Sequence, residues 1–90
     1  MGHDVGFAKQ CFPTRARLID ELAARDESFR DLCHDFATAD ELRLSWETAL
    51  APDRYERHAE LVELVDSLRS EIEVALDDAA VVPFRRPPRP

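Results

Sequence analysis

Residues 27–76 decide the fold: ESFRDLCHDFATADELRLSWETALAPDRYERHAELVELVDSLRSEIEVAL. Phe29, Leu32, Phe36, Ala39, Arg43, Trp46 and Leu50 recur at spacings of 3, 4, 3, 4, 3 and 4. That period puts them on one stripe of an α-helix, with one charged member. Leu61, Val65, Leu68, Ile72 and Ala75 repeat the pattern at 4, 3, 4 and 3, and Leu64 and Leu76 widen it. Between the two stripes lies Ala51-Pro52-Asp53. Proline has no N–H for a helix interior but suits a first turn, so the sequence predicts helices over about 27–50 and 53–77.

Each of these helices is roughly 35 Å long at 1.5 Å per residue. A short break between helices of equal length implies an antiparallel, coiled-coil-like two-helix hairpin. Opposed positions then have residue numbers summing to about 104, which pairs Phe36 with Leu68, Leu32 with Ile72, Phe29 with Ala75 and Ala39 with Val65. Apolar meets apolar along the open end. At the closed end, Asp40, Arg43 and Glu47 lie near the centre of one stripe, and Arg54 and Arg57 continue the other. Glu47 falls opposite Arg57, so the sequence predicts charge pairing across the tip, with Trp46, Tyr55 and His58 around it. Such solvated pairs are worth about 0–1 kcal/mol each and set register more than stability.

Working outward, Leu18, Ile19 and Leu22 form a short stripe over residues 15–24. Thr14 is a candidate N-cap for it, and Asp26 and Ser28 are candidate caps for the helix that follows. Residues 1–13 read as an N-terminal arm with Phe7 and Phe12 as anchors, and 14–80 as the hairpin domain. Residues 81–90 hold Pro83 and Pro87-Pro88-Arg89-Pro90, which favour an extended, disordered Pro/Arg tail. The fold class is all-α. A two-helix layer buries one stripe per helix, and Leu42, Leu44, Val62 and Val74 fall off that seam. Either the first helix folds back on the hairpin or two hairpins pack together, and a homodimer is the expected arrangement.

The full chain has 90 residues with 44% hydrophobic and 34% charged side chains, the composition of one small folded domain. Its net charge of −7 is uneven: residues 14–82 carry 8 Arg against 18 acids, whereas 83–90 carry Arg85, Arg86 and Arg89 alone. An acidic body repels phosphate backbones and anionic bilayers, so neither nucleic acid nor membrane is an expected partner. No apolar run approaches the ~18 residues of a membrane span, and the first residues lack the basic-then-apolar order of a signal peptide. With only Cys11 and Cys33, a reducing cytoplasm is the expected location.

One resemblance adds to this reading. Phe12-Pro13, Leu18-Ile19, Leu22, Phe29, Leu32 and Asp40 stand, without gaps, where the YdcH-like small bacterial proteins carry similar residues. Leu61, Leu68, Arg69, Glu71 and Ile72 resemble that family's last-helix leucines and its L-K-x-E-[IM] ending. The likeness covers residues 12–76 and implies a helical hairpin, with no activity attached. The chain departs from the pattern in three places, one of them its extra Arg/Pro tail. Phe36 stands where the family commonly has His, and residues 60–73 are acidic where the family is Lys-rich.

No reactive constellation stands out. Cys33-His34 are adjacent, about 100° apart on a helix, which is poor geometry for one metal. His3, His34 and His58 make no H-x-x-x-H pattern. Asp20-Glu21, Asp26-Glu27, Asp40-Glu41 and Asp77-Asp78 read as solvated faces, because paired-carboxylate catalysis needs a cleft. Gly2 and Gly6 are the only glycines, too few for a phosphate loop, and no calcium loop is present. A mid-chain Trp also resembles WXG-type secretion substrates, but Trp46-Glu47-Thr48 lacks the glycine.

The expectation is therefore a non-enzymatic helical protein acting through protein–protein contact or self-association, without cofactor, metal or small-molecule substrate. The candidate contact residues are Trp46, Tyr55, Arg57, Leu42, Leu44, Arg85 and Arg86. One alternative is a binding module using the Arg/Pro tail or the Trp46/Tyr55/Arg57 tip. Another is a metal or redox protein using Cys11 and Cys33.

Overall fold

The computed structural model describes residues 5–81. Among them the chain is all-α: α1 (Gly6–Cys11), a 3-10 turn (Pro13–Arg15), α2 (Ala16–Arg25), α3 (Glu27–Glu47) and α4 (Arg54–Val81). The disordered tail is expected over 81–90; Val81 instead ends α4, and 82–90 lie outside the described residues.

A single residue separates α2 from α3. Asp26 takes an extended conformation (φ −130°, ψ 104°), which ends α2, and its N–H still donates to the Leu22 carbonyl at 2.9 Å. Its carboxylate accepts from the Phe29 N–H at 3.1 Å, filling one of the donors a helix start leaves unpaired. From the other side, Arg30 Nη1 donates to the Ala23 carbonyl at 2.6 Å. Asp26→Ala is expected to cost about 1 kcal/mol, the usual loss on removing a cap, measured by urea unfolding.

Thr14, expected to cap α2, sits instead inside the 3-10 turn, and α2 starts after Arg15 with no side-chain cap. Pro13 opens that turn, where its missing N–H costs nothing. The expected arm over 1–13 contains α1, whose Ala8 is fully buried together with Val5 just before it. Short apolar periods are hard to read in so few residues. The helix over 27–50 ends early, at Glu47. A helical Pro52 would drive its ring into the carbonyl of Thr48, so the helix stops before that clash. Leu50, expected as the seam's last member, is 98% exposed in the link. The last helix runs past 77 to Val81, since Ala79-Ala80 favour helix and no breaker precedes Pro83.

One buried cluster holds the elements together. Ile19, Leu22 and Ala23 of α2, Phe29, Cys33 and Phe36 of α3, and Ile72 and Leu76 of α4 pack in it with Val5 and Ala8. The Phe7 and Phe36 rings lie 4.9 Å apart and tilted, a favourable aromatic arrangement. Arg69 sits over the Phe12 ring at 5.4 Å, and Arg15 meets Asp77 at 2.7 Å, so α4 holds the N-terminal segment at two points. The first helices therefore fold back onto α3 and α4. The core occupies one end of an elongated molecule, 62 × 28 × 21 Å. Between Ala39 and Ile72 no side chain is buried.

A candidate interaction surface on α3 and α4

The coreless half is where Trp46, Tyr55, Arg57, Leu42 and Leu44, the described members of the sequence-predicted contact set, lie. Trp46 is half-buried, and Leu42 and Leu44 are each about half exposed. Two residues apart on a helix means about 200° around the axis, so Leu42 and Leu44 face opposite flanks of α3. Trp46, four residues beyond Leu42, shares its flank. On α4, Tyr55 is 76% exposed, with the Arg54 guanidinium 4.7 Å from its ring centre. Arg85 and Arg86 lie outside the described residues.

The charges at the tip pair differently from the expectation. Arg57 bonds Asp53 just before its helix (3.2 Å) and Glu60 within it (3.1 Å), not Glu47. Arg43 bonds Asp40 (2.8 Å) and Glu47 (2.9 Å), also within its helix. Spacings of three and four residues bring such groups together with little ordering cost, and local pairs won over the cross-helix one. Asp40's hydrogen bond, with Glu47 nearby, raises the Arg43 guanidinium above its ordinary value and keeps it charged. What does cross the link is His58, whose Nε2 lies 3.5 Å from Glu47 Oε2. That nitrogen is shielded from solvent and makes no hydrogen bond.

Two surface features were not singled out in advance. Leu64, Leu68, Glu71, Ala75 and Asp78 recur at 4, 3, 4 and 3, and so share one flank of α4. Arg69 and Asp77, which hold Phe12 and Arg15, lie on the opposite side of the helix axis, so the N-terminal segment leaves this flank open. A shallow groove of ≈ 430 Å³ opens on it, lined by Leu32, Ser70, Glu71, Val74, Ala75 and Asp78. The seam spacing alone could have shown it, had acidic flanking positions been traced with the apolar ones. A second cavity, ≈ 440 Å³, lies between α1, α2 and Arg30, with Val5, Ala23 and Ala24 in its wall and the Lys9–Asp20 pair (3.0 Å) at its edge.

The cysteines are free, Cys33 buried and Cys11 partly so. Burial pushes the Cys33 thiol up to about 11. Cys11 is also raised, chiefly by burial, with Arg69 opposing and Asp40 reinforcing. The thiolate is the reactive form, so at pH 8 only about one Cys33 in a thousand is ionised. Native Cys33 is expected to resist iodoacetamide at pH 8 and to react once urea exposes it; mass spectrometry of the labelled peptides reads this directly. Among the described residues no three His, Cys, Asp or Glu side chains converge as a metal site, and no helix is long and apolar enough to cross a membrane.

No family model matches this chain, and neither a curated protein nor a solved structure matches it.

Proposed function

We propose that this chain is a self-associating, non-enzymatic helical protein whose α3 and α4 form an antiparallel hairpin, and that it works through protein–protein contact. One observation carries the reading: between Ala39 and Ile72 the two helices bury no side chain, and Trp46, Leu61, Val62, Val65 and Leu68 are only half covered. Burying an apolar side chain fully is worth about 1.5–3 kcal/mol, and a lone helix pair leaves much of that unrealised. A second copy laid on this half supplies the missing layer. The burial of Phe29, Cys33 and Phe36 with Ile72 and Leu76, and the approach of His58 to Glu47 at the other end, support the antiparallel pairing. The same hairpin is what the YdcH-like resemblance implies, and membership of that family is part of the proposal. A cytoplasmic location fits two free thiols.

Light scattering during size exclusion, over about a hundredfold range of concentration, tests it. The expected mass is twice the 10.3 kDa chain at the upper end, falling on dilution. A mass of one chain throughout overturns self-association.

A second reading has its own observation. Tyr55 is largely exposed while Arg54 stacks on it, a rigid aromatic–arginine pair of the kind that anchors interfaces. Under this reading the Trp46/Tyr55/Arg57 end docks on a different protein. Tyr55→Ala leaves self-association intact if that is so.

A further inference from the structure

We propose that the groove on the base half of α4 is the seat of the chain's own C-terminal segment, residues 82–90. The groove lies away from the coreless half, so this inference stands independently of self-association. Its walls are apolar at Leu32, Val74 and Ala75, and Val74 is 59% exposed. Glu71 and Asp78 flank that apolar strip on the same side of the helix. Among the described residues neither carboxylate has an ion-pair or hydrogen-bond partner.

Three properties of the segment match. The first is charge: it holds Arg85, Arg86 and Arg89 with no acid, in a chain of net charge −7. The second is an apolar anchor, Phe84, immediately before the two adjacent arginines. The third is reach. Pro83 disfavours helix at Val82 and cannot itself continue one. Phe84, three residues beyond Val81, spans at most about 10 Å. Ala75 lies about 9 Å back along α4. Arg86 reaches about 17 Å, and Glu71 lies about 15 Å back. A segment returning along the helix thus brings the Phe84 ring to the apolar strip and Arg86 to the level of Glu71. Arginine is suited to this, since its planar fork bonds carboxylates in pairs. A second copy's tail would have the same chemistry, but own-chain attachment keeps the local concentration high at any dilution.

The full chain carries the test, by methyl-resolved NMR. Cross-relaxation is expected between the Phe84 ring and the methyl groups of Leu32, Val74 and Ala75, at two concentrations about tenfold apart. Phe84→Ala removes those cross-peaks and shifts the three methyls. Arg85→Glu with Arg86→Glu shifts them too. Ile19 and Leu22, on the N-terminal side of the core, stay in place in both variants and show that the fold is kept. Absent cross-peaks, or methyls that neither variant moves, overturn the proposal. Cross-peaks lost on dilution overturn the own-chain seat in favour of a neighbour's tail.

Discussion

Phe36→Ala is expected to remove most of the stability of this chain. Phe36 is among the largest fully buried side chains, sits where α3 meets α1 and α4, and has the Phe7 ring against it at 4.9 Å. Truncating a buried Phe to Ala costs about 3–5 kcal/mol, from lost transfer energy and from the cavity that remains. Small domains hold only about 5–15 kcal/mol in total, and this core is confined to one end of the molecule. The cost reaches α3, α4 and the N-terminal segment, because all share one cluster. Urea unfolding followed by circular dichroism measures it: the midpoint falls and the slope is retained. Leu68→Ala, on the same α4 stripe but only half-buried, is the control and is expected to cost less than half as much in a dilute monomer. Equal losses at the two positions would mean that the core extends into the outer half.

That contrast also marks how far the sequence could be read. The stripes of α3 and α4 were legible because twenty-odd residues of strict 3–4 spacing average out single exceptions. Asp26 was legible as a cap because a short carboxylate after one stripe and before another has a specific job at a helix start. Three features were not. In α1 only six residues carry the pattern, and Gly6 and Lys9 blur it. Thr14 looked like a cap, but Pro13 beside it closes a 3-10 turn first. Leu50 fitted the seam by number, yet the steric reach of Pro52 extends four residues back and ends the helix before it.

The candidate surface was legible in part for a related reason. Spacing tells which residues share a flank of one helix, and so marked Leu42 and Leu44 as lying off the seam. It does not tell which flank a third element covers. Arg69 over Phe12 and Arg15 on Asp77 decide that, and they depend on where the N-terminal segment turns back. Charge pairing at the tip was misjudged because opposition across a hairpin was weighed without the competing local partners: Arg57 has Asp53 four residues before it and Glu60 three after it, and both are taken.

The open flank gives the second large prediction. Leu42 and Trp46 on α3 and Leu64 on α4 are exposed or half-covered in the half that lacks a core. If a second copy packs there, Leu42→Glu with Leu64→Glu places two carboxylates where apolar contacts form. Central interface side chains are worth about 2 kcal/mol or more each, so the pair is expected to weaken association by about 4 kcal/mol, near a thousandfold in Kd. The monomer is expected to change little, since Glu is a good helix former and surface substitutions usually fall within about 0.5 kcal/mol. Trp46 is the sole tryptophan, so its emission reports this surface without a label. In the unaltered chain the emission is expected to shift to the blue as concentration rises and the indole is desolvated. In the double variant it is expected to stay red-shifted while the mass stays at one chain. A double variant that dimerises as the unaltered chain does would move the contact to the other flank, where Leu44 and Tyr55 remain exposed.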